Sequence, residues 1–448
     1  INPCNATLSA AQVMAQENRA FRFTVVDLNP EEQPQSNQDF VSELLSRALS
    51  VQRDKRFAVL IYRNGYQWAQ TYVPIQAKKG KNLLKNKGVY LFTGGLGGIA
   101  LACCEAILET VENPTFILFS RKELVAEKDW EAVLKNQNHP QHKEVLKLEG
   151  IKKLGAKIIA HKVDILNRRH LKACVYQYWK ICGRINGVIH AAGIAKPELA
   201  LMQSNENIQE VLSTKIEGTY NLAFALKNIP LDFIVLKSSL ATILGGMELF
   251  DYCAANAGLE AFVDTNLFAT DKMIAINWNT WSDVGMALHA TSPNGQISTY
   301  GNAISSKVGK KIFLDILSVG EERVAVSTVD IEGALTQENH HQRLYQSNTQ
   351  SPTKDEVHYP AEKHLDDLEI VIKKLWQNVL GLKEIGIHDN FFELGGHSLN
   401  ALNLLRHINK TFKCTLSPIQ LHKTPTIYSL KLAILNSGQG LAFQHSSR

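Results

Sequence analysis

From residue 88 onward the chain is dominated by seven short apolar runs, separated by helical stretches. They are GVYLFT (88–93), TFILFS (115–120), KIIAHKVD (157–164), GVIHAAG (187–193), DFIVLKSS (232–239), MIAINW (273–278) and RVAVSTV (323–329). Runs that are apolar almost throughout, not at alternate positions, belong to strands covered on both faces. Helices between them supply that cover, and strand–helix–strand units set the strands parallel. The expected fold is α/β, a doubly wound parallel sheet of the Rossmann type.

The first run leads into Thr93-Gly94-Gly95-Leu96-Gly97-Gly98-Ile99-Ala100 and then the helical LACCEAILETV. Strand, glycine turn and helix form the context in which a backbone approaches a dinucleotide's pyrophosphate. The helix N-terminus then stabilises the negative charge. The second run ends in Ser120-Arg121, with no acid to grip the ribose hydroxyls of NAD. Arg121 suits the 2′-phosphate of NADP instead, so NADPH is the expected cofactor. Asp164, ending the third run, is placed to meet the adenine. The backbone of Ala191-Ala192-Gly193 is placed beside the ribose and nicotinamide, and His190 reads as a packed core residue.

A chain of 448 residues exceeds one core, so several domains are expected. Its 45% apolar and 20% charged residues describe a soluble globular protein. No apolar run approaches the roughly 20 residues of a bilayer span. The net charge of +5 is mild, and its densest stretch, KKGKNLLKNK (78–87), reads as a solvated linker. Neither a membrane nor a nucleic acid is expected as a partner. The seven cysteines are odd in number and include no CxxC pair, so neither a disulfide framework nor a zinc site is indicated. A reducing cytoplasm fits this pattern. No signal peptide precedes Ile1, and the absent initiator Met points to a piece of a longer polypeptide.

Outside the sheet the signals are weaker. Residues 1–87 hold a strand in 21–28, a helical pattern in 38–49 and a strand pair within 56–75 around Asn64-Gly65. Residues 335–362, rich in Gln, Asn, Ser, His and Thr, read as a linker. Leu365, Leu368, Val371, Ile372 and Leu375 then repeat at helical spacing. The expected division is 1–87, 88–334, the linker 335–362, a small helical domain over 363–438, and a disordered tail over 439–448.

In LFDYCAANAGLEAF (249–262), Tyr252 and Asn256 share a helix face. A phenol that donates a proton wants a cation nearby, yet the usual Tyr-x-x-x-Lys spacing is absent. TGGLGGIA, HAAG, LSTKIEGT (212–219), LKSSLA, DYCAANAGLEAF and INWNTWSDVGMA (276–287), in this order, resemble the ketoreductase domain of modular polyketide synthases. That family is a branch of the short-chain dehydrogenase/reductase superfamily, and the resemblance covers about 88–330. Residues 1–87 resemble the C-terminal part of the non-catalytic, pseudo-Rossmann structural subdomain that precedes such ketoreductases.

The resemblance implies roles. In this family the lysine comes from the preceding helix, where Lys215 matches, and it would lower the Tyr252 pKa and bind the nicotinamide ribose. Tyr252 would be the general acid, Ser239 would hold the ketone oxygen, and Asn256 would order a water-linked proton relay. The family's Leu-Asp-Asp marker is replaced by Ala195-Lys196-Pro197, and its tryptophan marker by Leu244. The absence of Leu-Asp-Asp implies an L-β-hydroxy product.

GIHDNFFELGGHSLNALNLLRHI (386–408) resembles the carrier domain of polyketide and nonribosomal peptide synthases, a four-helix fold. Ser398 matches the serine that receives 4′-phosphopantetheine, at the start of a helix where a phosphodiester is electrostatically welcome. His397 stands where many acyl carriers have Asp, and 363–440 carries more Lys and Arg than Asp and Glu. Both features also suit hybrid assembly lines. The implied function is NADPH-dependent reduction of a carrier-bound β-ketoacyl thioester. An α-keto substrate in a depsipeptide-forming module, or a silent reductase beside a working carrier, remain the alternatives. The implied partners are a phosphopantetheinyl transferase, the acyl thioester, and ketosynthase and acyltransferase or condensation domains.

Overall fold

The computed structural model describes residues 4–17, 22–28, 42, 45–46, 57–63, 66–76, 83–270, 272–286, 303–335, 367–392, 394, 398–416, 420–421 and 424–436. Helix α1 (Cys4–Glu17) opens the chain, followed by a three-stranded sheet. In it β1 (Phe23–Leu28) runs parallel to β2 (Phe57–Arg63), and β3 (Tyr66–Trp68) returns antiparallel. The strand pair expected within 56–75 is present, while its Asn64-Gly65 turn lies outside the described residues, as do most of 38–49, the linker and the tail.

The seven apolar runs make one parallel sheet in the order β10-β9-β8-β7-β4-β5-β6. Along the chain, β4 (Val89–Thr93), α2 (Gly98–Leu108) and β5 (Thr115–Ser120) come first. Next are α3 (Trp130–Lys135), α4 (His142–Lys153), β6 (Lys157–Lys162), α5 (Arg168–Cys182), β7 (Gly187–His190) and α6 (Asn205–Leu226). Then follow β8 (Phe233–Ser239), α7 (Ala241–Leu244), α8 (Phe250–Glu260), β9 (Met273–Trp278), α9 (Ser306–Ser318) and β10 (Arg323–Ala325). Side chains alternate across each strand. Phe92, Phe116 and Val235 therefore join Ile107 of α2 and Phe313 of α9 in one core. Leu91, Ile117 and Ile234 join Leu171 of α5, Leu222 of α6 and Leu259 of α8 in the other.

The chain runs outward from β4 to β6 and then crosses back, so β7 pairs with the other side of β4. Ligands of open α/β sheets bind at such a reversal, beyond the C-terminal strand ends. Strands β6 and β7 stop short of the runs read from sequence, at Lys162 and His190. The next residues, Val163 and Ala191, each donate one last bond to the neighbouring strand, to Ser120 O at 2.8 Å and Thr93 O at 3.0 Å, and line the groove at this reversal.

In the C-terminal region the described residues show helices α10 (Asp367–Leu380), α11 (Ser398–Phe412) and α12 (Ile427–Asn436). Residues 420–421 are also helical, and their flanks lie outside the described residues. Leu368 and Ile372 of the expected stripe are buried, with Val371 and Leu375 packed beside them. Phe391 and Phe392 of the DNFFELGG string enter the same core, where Phe391 stands edge-on to Trp376 at 5.0 Å.

Candidate active site

A groove of about 1060 Å³ opens over the C-terminal ends of β4, β5, β6 and β7. Its floor is the glycine turn. Gly94 has φ +65, and a Cβ there would stand 2.9 Å from the carbonyl carbon of Ala191. A Cβ on Gly98 would lie 2.9 Å from the Val284 side chain. The turn is therefore closed to side chains at those points, as a cradle for a close-lying pyrophosphate requires. Leu96, Gly97, Ile99, Ser120, Arg121, Asp164, Ala191, Ala192 and Gly193 line the groove. Gly95 instead turns toward β5, where its N–H donates to Phe119 O at 2.9 Å and a Cβ would strike Leu118. Thr93 lines the groove but directs its hydroxyl to His190 Nδ1 at 2.6 Å.

His190 also lies 3.0 Å from the Thr219 hydroxyl. Burial, then the charge of Lys215, pushes its pKa down to about 3. It is a packed core histidine, neutral at any working pH.

At the outer end of the groove the charges are exposed. Arg121 faces Glu210 across 3.5 Å, and Glu210 also accepts from Lys196 at 2.5 Å. Sequence reasoning passed over the opposite wall, where His139, His142, Lys143 and Lys147 join Lys122 in lining the groove. Lys143 and Lys147 stand one helical turn apart, and that spacing is the signal a sequence offers for a basic face.

Ser239, Tyr252, Asn256 and Lys215 are not among the residues that line the groove; beside it, Ser239 closes β8 and Tyr252 lies in the first turn of α8. Burial pushes the Tyr252 phenol above its usual pKa, while hydrogen bonding with the Ser239 and Asn256 side chains pulls it back. Asn256 is 1% exposed. Its Nδ2 donates to Tyr252 O at 2.8 Å, and its buried Oδ1 has no partner. An orphaned acceptor of this kind is the position a relay water would satisfy. Lys215, from α6, lies against Gly193, where a Cβ would meet its Cε at 2.8 Å. Its Nζ donates to Lys237 O at 2.6 Å. Burial, then the charge of Lys237, pushes Lys215 well below the usual lysine range. The expected downward pull of Lys215 on Tyr252 is not part of this arrangement: burial dominates the phenol, and the groups that oppose it are Ser239 and Asn256. Lys237 itself lines the groove, and burial brings its pKa down to about 8.

The substrate side has a contributor that the sequence did not announce. Short helix α7 follows Ser239, and its last carbonyls need donors. Helix α1 supplies them from one face. Ser9 Oγ donates to Thr242 O, Gln12 Nε2 to Ile243 O and Gln16 Nε2 to Leu244 O, at 2.9, 2.9 and 2.8 Å. Gln16 Oε1 then accepts from Gly246 N at 2.7 Å. Glu17 joins two loops, accepting from Ala200 N at 2.7 Å and Glu248 N at 2.9 Å. Burial raises Glu17 to about 7, and burial likewise raises Asp251, beside Tyr252, to about 6. Ser9, Gln12 and Gln16 stand at helical spacing in the sequence, but the α7 carbonyls they meet lie more than two hundred positions away.

Ser398 begins α11, so its backbone stands at a helix N-terminus. The side chains of residues 395–399 lie outside the described residues.

A doubly wound parallel sheet with a glycine turn at its first βα junction, Ser239 at the end of β8, the fifth strand of that sheet in chain order, and Tyr252 on the helix that follows, has a short-chain dehydrogenase/reductase fold. Residues 88–283 match the KR domain family, and residues 371–434 match the phosphopantetheine attachment site family. The chain thus carries a region that matches the ketoreductase family followed by one that matches the phosphopantetheine carrier family. It is 24% identical over 428 residues to Polyketide synthase PksN of Bacillus subtilis (strain 168), covering 92% of this chain and 7% of that protein. With Polyketide synthase PksL of the same organism it shares 30% identity over 212 residues, 46% of this chain and 4% of that one. The chain thus spans a small fraction of these relatives' length.

Among solved structures, a ketoreductase domain from the bacillaene assembly line aligns with TM-score 0.61 at 22% identity, over 75% of this chain and 76% of that one. An adenylation, ketoreductase and pseudo Asub structure of a keto acid-selecting NRPS module aligns with TM-score 0.60 at 22% identity, over 77% and 30%. Both likenesses establish the fold. No described helix is long and apolar enough to cross a membrane.

Proposed function

We propose that the chain reduces a β-ketoacyl thioester to the β-hydroxyacyl thioester with NADPH during polyketide chain elongation. The substrate hangs on a 4′-phosphopantetheine arm that a phosphopantetheinyl transferase attaches to Ser398. The observation that carries this reading is the Tyr252 phenol, engaged by Ser239 and Asn256, beside a groove shaped for a dinucleotide and joined to it through Lys215, which lies against Gly193 and bonds Lys237 O. Bound in that groove, the reduced nicotinamide supplies the hydride that converts the ketone to an alcohol. Ser239 Oγ donates a hydrogen bond to the ketone oxygen and stabilises the charge that develops there. Tyr252 Oη gives the proton that completes the alcohol. Because burial holds the phenol above its usual pKa, it stays protonated through neutral pH, as a donor must. Lys215 would hold the nicotinamide ribose, and the Asn256 Oδ1 would order the water that returns a proton to Tyr252. At the outer end, Arg121, with Lys122, Lys143 and Lys147, would hold the 2′-phosphate. Ketosynthase and acyltransferase or condensation domains would supply and consume the acyl chain. The free thiols of Cys103, Cys104, Cys174, Cys182, Cys253 and Cys414 suit a reducing cytoplasm.

A second reading, an α-ketoacyl substrate, is favoured by the near-equal likeness to the reductase of a keto acid-selecting module. Soluble β-ketoacyl and α-ketoacyl thioesters, offered in turn with NADPH while cofactor absorbance is followed, separate the two. Faster turnover of the β-keto compound is expected. Preference for the α-keto compound would replace the first reading by the second, and turnover of neither would mark a silent reductase.

A further inference from the structure

The open edge of the main sheet carries a group of side chains that the reductase chemistry does not use. His161 lies on β6, the edge strand, on the face that α5 covers. His170 and Cys174 stand one turn apart on α5, so they share a face. One nitrogen from each histidine and the Cys174 sulfur all lie within 4.8 Å of one another. Cys174 is 3% exposed, His161 is half-buried and His170 is exposed. A further turn along α5, Tyr178 places its hydroxyl 2.9 Å from His161 Nδ1.

We propose that His161, His170 and Cys174 bind one divalent transition-metal ion of the zinc class. Two imidazole nitrogens and one thiolate are a donor set that suits zinc, and solvent reaching the His170 side supplies the fourth ligand. Tetrahedral bonds of about 2.0–2.3 Å bring ligand atoms to roughly 3.5 Å apart. Small side-chain rotations close the remaining distance, and the exposed His170 ring is the freest of the three to make one. Tyr178 completes the arrangement: with His161 Nδ1–H donating to the Tyr178 oxygen, the Nε2 lone pair is left for the metal. Such outer partners fix the tautomer and aim the ring. Binding forms the sulfur–metal bond and breaks the Cys174 S–H bond, with the proton passing to solvent and no change of oxidation state. Burial raises the pKa of the Cys174 thiol, so the metal is what deprotonates it, and affinity rises with pH. The ion would clip the edge strand to α5 just before Asp164 turns into the nucleotide groove. The sequence expectation of no zinc site rested on the missing CxxC pair. Here the ligands come from a strand and a helix instead.

The test is titration of the untagged, chelator-treated, reduced chain with Co²⁺ and then Zn²⁺, following thiolate-to-cobalt absorption. The expected result is absorption that saturates at one equivalent and is displaced by zinc. It should be absent from Cys174→Ala and His170→Ala, and reached at about tenfold or higher metal concentration in Tyr178→Phe. Because His170 is exposed, its variant should fold, and circular dichroism of each variant checks this. Zn²⁺ should also raise the melting temperature of the parent chain but not of His170→Ala. No thiolate band, or a band equally strong in either alanine variant, would overturn the site.

Discussion

The groove and the Tyr252 cluster beside it are built in opposite ways. The nucleotide end is local: one glycine turn and the last residues of neighbouring strands form it, and its basic side chains stand in solvent. The Tyr252 cluster, the proposed substrate end, is assembled from α1, the loops around Ala200 and Glu248, β8 and α8. Its carboxyls are buried, and two of them titrate near neutrality. Exposed charges are screened and exchange partners easily. Buried ones hold a fixed geometry but respond to pH. On the proposed function, the contrast would suit a constant cofactor in the groove and, beside it, an acyl group that must meet the hydride on one face.

The sharpest break between the two ends is Tyr252→Phe. It should lower turnover by about 10²–10⁴-fold while NADPH binding, followed by cofactor fluorescence, stays close to the parent value. Parent-like turnover would remove Tyr252 from the chemistry. At the nucleotide end, Arg121→Ala should narrow the preference for NADPH over NADH by about tenfold, the low end for a charge-assisted contact because the side chain is half-exposed. Equal affinities for the two cofactors in the parent chain would refute this reading of the groove.

A third prediction tests whether α1 serves the substrate end alone. Glu17→Ala leaves two backbone N–H groups without acceptors, a loss of about 1–3 kcal/mol in stability by urea unfolding. It should also raise KM for the thioester more than the dissociation constant of NADPH. A change confined to NADPH affinity would place α1 elsewhere in the account. The smallest effect concerns pH. Glu17 is raised from 4.5 to about 7 and Asp251 from 3.8 to about 6, so the folded chain keeps protons that the unfolded chain releases. Their contribution to stability is full at low pH and is lost as pH rises toward about 7. Melting temperature measured from about pH 5 to about pH 8 should therefore carry a falling component that flattens in Glu17→Gln. An unchanged slope would contradict the assignment to Glu17.

What could be read from sequence follows the same division. The glycine turn, Arg121 and the apolar strands are contiguous signals whose meaning is local, and the seven strands fall within the runs that announced them. Lys215 was found only through family resemblance, because its place beside Gly193 depends on helix packing. The clasp of Ser9, Gln12, Gln16 and Glu17 could not be read at all. Polar residues at helical spacing usually mark a solvated face, and only the fold brings the α7 carbonyls against them. The phenol's raised pKa was missed for a related reason. A sequence names the lysine that would lower it but not the burial that raises it.

The central claim is that this chain reduces a β-ketone carried on its own arm. Load a β-ketoacyl phosphopantetheine onto Ser398 with a phosphopantetheinyl transferase, add NADPH, and weigh the Ser398 peptide before and after. The account predicts that the acyl group gains the mass of two hydrogens, and that it does not in Tyr252→Phe. A β-ketoacyl peptide of unchanged mass in the parent chain would contradict it.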